Sequence, residues 1–153
     1  MDKFYIRALF IVALLCSTQV MADTLDHKKM VEHAFDQWRL GTGSPFELLA
    51  ENATWTILGP TQSARTYNLA ELRQLVIAPF NKRLLTPLKP KVHDIYQTGD
   101  EVIILFEAEA TLINGNVYQN SYAWFFTMDQ DRVIRVRAVL DLNAYDDVMS
   151  MAI

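Results

Sequence analysis

VIILFEAEATL (residues 102–112), Asn114-Gly115, VYQNSYAWFFTM (117–128) and VIRVRAVLD (133–141) are the stretches that decide the fold. Asn-Gly between two β-rich runs is a strong hairpin signal, because both central residues of a type I′ turn need positive φ. With Asn114 and Gly115 as the two loop residues, Glu109 lies opposite Asn120, Glu107 opposite Tyr122, Leu105 opposite Trp124 and Ile103 opposite Phe126. Side chains alternate along a strand, so this register puts all eight on one face. That face is aromatic at one end and carries two carboxylates, an amide and a phenol toward the turn. An apolar wall with a polar lip is the usual construction of a small-molecule pocket.

The N-terminus reads as an export signal. Lys3 and Arg7 precede the apolar run ALFIVALL (residues 8–15), and Val20-Met21-Ala22 ends in the small-residue pattern of a cleavage site. The run is far shorter than the roughly 20 apolar residues of a membrane span. Leu15 before Cys16 does not fit a lipobox, which wants a small residue there. Cleavage after Ala22 is expected, leaving a single domain over residues 23–153 in the periplasm or secreted, with no membrane attachment. Cys16 is the only cysteine, so the exported domain has neither disulfides nor thiol chemistry and must be held by its core. Removing residues 1–22 takes away Asp2, Lys3 and Arg7, leaving 17 acidic and 12 basic residues, a net charge of −5. An acidic balance argues against nucleic acid as a partner.

Met30, Val31, Ala34, Phe35 and Trp38 recur at helical spacing, and Gly41 closes that helix. Ser44-Pro45-Phe46-Glu47 has the form of a capping box and opens a short second helix to about Glu51. Residues 53–58 (ATWTIL) are strand-like. Asn68-Leu69-Ala70-Glu71 opens a third helix with Leu72, Leu75 and Val76 on its buried stripe, and Pro79 should end or kink it. Residues 91–97 form a strand, Gly99-Asp100 a turn, and the three runs quoted above follow as an antiparallel meander. Helices first and sheet after make the class α+β, with the helices on one face. Both faces of residues 102–112 are largely apolar, so a partner subunit is expected on the outer one.

In this order of elements, ELLAENATWTILGP, NLAELRQL, QTGDEV, NGNVYQNSYAWFF and VIRVRAVLDL, the chain resembles the nuclear-transport-factor-2-like superfamily, nearest its SnoaL-like branch, over roughly residues 25–150. That branch includes polyketide cyclases, ketosteroid isomerases and limonene epoxide hydrolases. The resemblance implies a curved, mostly antiparallel sheet wrapped by helices into a cone with an interior cavity, in a homodimer. It also implies where catalytic groups would stand. The isomerases' general-base aspartate falls on Ile57. The Arg-x-Asp pair of the epoxide hydrolases falls on Glu107 and Glu109, and the acid three residues before the final aspartate falls on Ala138. Only the closing Asp141 survives.

Glu107 and Glu109 are the candidate proton-transfer groups. Two carboxylates at i, i+2 on a half-buried strand stand roughly 7 Å apart, and in a low-dielectric cavity their repulsion would hold one protonated. Against this, a wet hairpin end would leave both as solvated charges. Tyr122 is the candidate hydrogen-bond donor, and Trp55, Ile57, Leu105, Asn120, Trp124 and Ala138 would complete the ligand wall, unless the aromatics are plain core. Tyr118 is placed near the mouth. Asp141 is a secondary candidate: Leu142-Asn143-Ala144 looks like a helix start, which gives it a capping role. Its facing depends on whether Ala138 pairs with Tyr122 or Asp141 with Asn120, and the resemblance favours the former. His27 and His33 read as solvated, and His93 has no partner in Asp94. The sequence holds no metal signature, no dinucleotide or P-loop pattern and no nucleophile elbow, so no cofactor or metal is implied.

Three functions follow from these residues. The first is binding of a small, mostly apolar or amphipathic molecule in the cone. The second is an isomerase, cyclase or hydrolase with Glu107 or Glu109 as base and Tyr122 as donor. The third is an interaction module whose outer sheet face is the working surface.

Overall fold

The computed structural model describes residues 26–153. The expected signal peptide, residues 1–22, therefore lies outside the described residues. Helix α1 (His27–Leu40) starts on the Asp26 carboxylate, which accepts from the Lys29 backbone N–H, and stops at Gly41 in the left-handed conformation. A 3₁₀ turn (Pro45–Leu48) and strand β1 (Leu49–Ile57) follow. The expected second helix is thus one turn only. Ser44 caps it through the Phe46 N–H rather than Glu47, and the chain is already extended at Leu49.

Strand β2 (Thr66–Asn68) leads into α2 (Leu69–Glu71), and the reciprocal Asn68–Glu71 capping box expected from the sequence is present. A π-helical stretch (Leu72–Ile77) and α3 (Ala78–Asn81) continue the same axis. Pro79 neither ends nor breaks it. It sits at the start of α3, after the wider π turn, where a missing N–H costs little. On that segment Leu72 is buried, Val76 half-buried, and Leu75 exposed rather than on the buried stripe.

The meander is β3 (Lys89–Thr98), β4 (Glu101–Thr111), β5 (Val117–Asp129) and β6 (Arg132–Leu140), closed by helix α4 (Leu142–Ser150). The six strands form one curved, unclosed sheet in the order β2-β1-β6-β5-β4-β3, with β1 parallel to β6 and every other pair antiparallel. The fold is α+β, and the helices cover the inner face.

The β4–β5 register differs from expectation by one residue. Ala108 pairs with Asn120, Phe106 with Tyr122, Ile104 with Trp124 and Val102 with Phe126. The reason lies in the turn. Gly115 has φ 85°, but Asn114 does not take positive φ, so a two-residue type I′ loop does not form. Instead Gly115 N–H donates to the Leu112 carbonyl, Leu112 N–H donates to Asn116, and Ile113 joins the loop as a third residue. A type I turn followed by a left-handed glycine is the usual three-residue solution.

Burial drives the same choice. The observed register buries Ile104, Phe106, Ala108 and Ala110, and sends Ile103, Leu105, Glu107 and Glu109 to the outer face. Sliding by one residue would exchange every side chain between faces, burying two carboxylates and exposing a phenylalanine. Desolvating a carboxylate costs several kcal/mol, so the pattern along the strand overrides the preference of the turn.

Across the last hairpin a bulge between Thr127 and Met128 resets the pairing. Beyond it Phe126 pairs with Val136, Trp124 with Ala138 and Tyr122 with Leu140. Ala138 faces inward, as the resemblance favoured, although opposite Trp124 rather than Tyr122. Arg135 and Arg137 point outward, where Arg137 meets Glu101 and lies over the Phe125 ring.

Candidate functional site

The inner face of the sheet and the helices over it bound a half-open cavity of about 540 Å³. Its floor is aromatic because β5 turns Tyr122 and Trp124 onto its inner face. Trp124 is the centre. It stacks on Trp38 of α1 with 12° between the planes and meets Trp55 of β1 edge-on at 4.8 Å. Phe46 leans on Trp55 and Trp124. All three tryptophans of the chain thus line one cavity. Ile57, Ala138 and Leu140 complete this wall, and Leu72, Val76 and Ile77 of the π-helical stretch oppose it with Leu84, Leu85 and Leu88.

The segment after α3 is fastened to the hairpin tip. Ile113 N–H donates to the Arg83 carbonyl, Leu85 and Thr86 N–H both donate to the Thr111 carbonyl, and Thr111 N–H donates to Thr86 Oγ1. The lining residues that carry polar side-chain atoms are Ser44, Asn81, Thr86, Tyr122, Tyr145 and the three tryptophans. Among the described residues no Asp, Glu, His, Lys, Arg or Cys lines it, and no three His, Cys, Asp or Glu side chains gather into a metal cage.

Behind Tyr122 lies a buried polar chain. The Tyr122 and Tyr118 hydroxyls are 2.7 Å apart, and Asn120 Nδ2 donates to Tyr118 Oη at 2.9 Å. The same amide joins the main chain of Asp141. Nδ2 donates to the Asp141 carbonyl and Oδ1 accepts from the Asp141 N–H, both at 2.9 Å. Asn120 therefore acts as one extra rung between the sheet and α4, which is why a polar residue can be buried there. Asp141 uses its carboxylate to cap α4, accepting from Asn143 and Ala144 N–H. It is a capping residue, and its side chain does not reach the cavity.

Burial pushes the Tyr122 phenol well above the ordinary tyrosine range, helped by neighbouring Tyr118. Burial does the same to Tyr145, with Tyr67 and Asp146 adding to it. Tyr118 is also raised, chiefly by burial, with its hydrogen-bonded neighbours Tyr122 and Asn120 acting the other way. All three are neutral phenols across the physiological range.

The expected site residues separate into two groups. Tyr122, Trp124, Trp55, Ile57 and Ala138 are brought together at the cavity, with Asn120 one layer behind. Glu107, Glu109 and Leu105 are not. The one-residue register difference places them on the outer face, where Glu107 meets His93 at 3.3 Å with both side chains 40% exposed, and where Lys91 and Lys89 lie across the ladder from Glu107 and Glu109. His93 is thus a surface partner of Glu107.

Tyr118 is deeply buried rather than near the mouth. It continues the inward parity of residues 120 to 126, a signal present in the sequence. His27 is buried rather than solvated, its ring Nε2 at 2.8 Å from the Gln130 carbonyl. Tyr145 shares a buried face with Leu142 and Val148 at three-residue spacing, whereas nothing local marks residues 84–88 as cavity wall.

Solved structures share this architecture. Bal32a, from a soil-derived mobile gene cassette, is 21% identical with a TM-score of 0.64 and covers 80% of this chain and 95% of its own. An NTF2-like protein from Burkholderia thailandensis is 16% identical with a TM-score of 0.64, covering 82% and 98%. TerC, co-crystallised with polyporic acid, is 14% identical with a TM-score of 0.62 and the same coverage. No curated protein matches the chain. The SnoaL-like domain family matches residues 30–136. With most of the sequence inside that match and the cone, curved sheet and wrapped helices of the nuclear-transport-factor-2-like fold, the chain belongs to the SnoaL-like domain family.

Proposed function

We propose that this chain is an exported domain that holds a small, mostly apolar molecule inside its cone. One observation carries the proposal: a 540 Å³ cavity walled by three tryptophans and a ring of aliphatics, with no Asp, Glu, His, Lys, Arg or Cys among its described lining residues. A site of this volume and character suits a ligand of one or two rings, held by burial of apolar area with a few polar atoms for orientation. Proton transfer by an isomerase, cyclase or hydrolase route would require a base at the ligand. Glu107 and Glu109, the residues that motivated that route, lie outside the cavity, which is why binding is favoured over catalysis. Export is supported by the charged start, apolar run and Ala22 cleavage pattern of residues 1–22.

The three tryptophans make the test direct. Titration with diphenylmethane, an apolar two-ring probe, should quench or shift tryptophan emission saturably at one site per chain. Emission that changes only linearly up to the probe's solubility limit would refute cavity binding. N-terminal sequencing of protein from the producing cell should begin at Asp23, and an intact Met1 start in the envelope fraction would refute cleavage.

A further inference from the structure

Asn120, Tyr118 and Tyr122 form a chain of hydrogen bonds whose direction can be worked out from chemistry alone. The Asp141 N–H can only donate and its carbonyl can only accept, so the Asn120 amide is fixed: Oδ1 faces the N–H and Nδ2 faces the carbonyl. Nδ2 has a second hydrogen, and it goes to Tyr118 Oη. Tyr118 then holds one proton of its own to place. Its hydroxyl is buried, it does not line the cavity, and among the described residues its hydrogen-bonding neighbours are Asn120 Nδ2, which is a donor, and Tyr122 Oη. Were Tyr122 to donate to Tyr118, the Tyr118 proton would be left buried without an acceptor, at a cost larger than the net gain of a made bond. The Tyr118 proton therefore goes to Tyr122 Oη, and the Tyr122 proton is turned outward into the cavity.

We propose that Tyr122 is a preset hydrogen-bond donor that selects, among apolar molecules of the right size, those carrying a neutral acceptor such as a ketone carbonyl. This rests on the cavity-binding reading and adds to it the polarity of the ligand. A ligand without an acceptor leaves the Tyr122 proton unpaired, and a ligand offering only a donor leaves it unpaired as well. A carboxylate is disfavoured for a different reason, since the described lining residues include no cation to accompany it into the cavity. Burial keeps the Tyr122 phenol neutral, so it has a proton to give.

Three probes of one shape test it: benzophenone (acceptor only), diphenylmethane (neither) and diphenylamine (an N–H donor). Tryptophan emission reports occupancy for each, with competition against the most emissive probe complex as a check. One hydrogen bond should make benzophenone bind about threefold to tenfold more tightly than diphenylmethane, with diphenylamine no better than diphenylmethane. The carbonyl stretch of bound benzophenone should move to lower frequency than in hydrocarbon solvent.

Tyr122→Phe should erase both the preference and the frequency shift, and diphenylmethane should bind it more tightly than the wild type, because no phenol proton is left at the ligand to strand. Tyr118→Phe should retain both, because the Tyr122 proton stays free. If Tyr122→Phe unfolds on account of the stranded Tyr118 proton, the double variant Tyr118→Phe/Tyr122→Phe removes both phenols together and gives the same readout. Equal affinity for benzophenone and diphenylmethane in the wild type, with a preference emerging only in Tyr118→Phe, would show that the chain runs the other way and overturn the proposal. Tighter binding of diphenylamine would overturn it too. Binding of none of the three would instead overturn cavity binding itself, and this proposal with it.

Discussion

Ala138 and Ala108 are both buried alanines on the inner face of the sheet, and the same substitution should act on them with opposite sign. Ala138, on β6 opposite Trp124, borders the cavity. Ala108, on β4 opposite Asn120, is buried in the core and does not border it. Leucine adds three carbons. At about 0.8 kcal/mol per buried methylene the ceiling at Ala138 is about 2.4 kcal/mol, and freezing the new side chain takes back about 0.5–1 kcal/mol. A net gain of about 1.5 kcal/mol remains, which for a domain of this size raises Tm by about 4–6 °C. The leucine also occupies space in front of Trp124, so affinity for diphenylmethane should fall at least about tenfold, equivalent to about 1.4 kcal/mol. At Ala108 no space exists, and overpacking should cost about 1–3 kcal/mol without touching the ligand space. Thermal unfolding followed by near-ultraviolet circular dichroism, with the emission titration alongside, measures both quantities on each variant. An Ala138→Leu protein that is destabilised by more than about 1 kcal/mol while its probe affinity is unchanged would refute the cavity as the ligand site.

Glu107→Gln and Glu109→Gln should leave probe affinity unchanged and alter stability by less than about 0.5 kcal/mol, as expected for outer-face positions; a tenfold loss of affinity in either would contradict the register. Asn120→Leu removes the bridge to the Asp141 main chain and to Tyr118, and denaturant melts should show about 2–3 kcal/mol lost. Gly59 has φ +150°, and a methyl there would run into the Leu142 side chain, so Gly59→Ala should lower stability by about 1–3 kcal/mol. Tyr118, Tyr122 and Tyr145 have folded-state values raised above those of the unfolded chain. The stabilisation this represents is fully present below about pH 10 and is lost as pH rises through the folded-state values. Alkaline titration should therefore show a late rise in tyrosinate absorbance that coincides with unfolding, and Tyr122→Phe should reduce its amplitude.

Most of the fold was legible because its signals are local. The Asn68–Glu71 capping box, Gly41 at the end of α1, the Gly99 turn and the alternation along β5 each fix a piece of geometry within a few residues. The inner face of β5 was legible for the same reason, and with it Tyr122 and Trp124, whereas Asn120, expected on the ligand wall, instead ties the sheet to the Asp141 main chain. The partner strand was misplaced because two local signals on β4 compete. Asn114-Gly115 favours a two-residue loop, while Phe106 set between Leu105 and Glu107 has to be buried, and the desolvation of two carboxylates is the larger quantity. Counting charges on each face of β4 would have resolved the conflict from sequence alone. The segment 84–88 was not legible, since its place at the cavity is set by main-chain bonds to Thr111 and Ile113, about 25 residues downstream. The bulge at Thr127 and Met128 has no residue signature either, and without it the last strand cannot be threaded.

The fastening of residues 83–86 to the hairpin tip has an evolutionary corollary. Arg83 through Thr86 hang from Thr111 and Ile113, whereas the tryptophans sit on α1, β1 and the middle of β5. Insertions or deletions around Asn114 would thus reshape the rim and leave the aromatic floor alone. Diversification of this scaffold can retune admission independently of retention, through a few residues at one exposed bend.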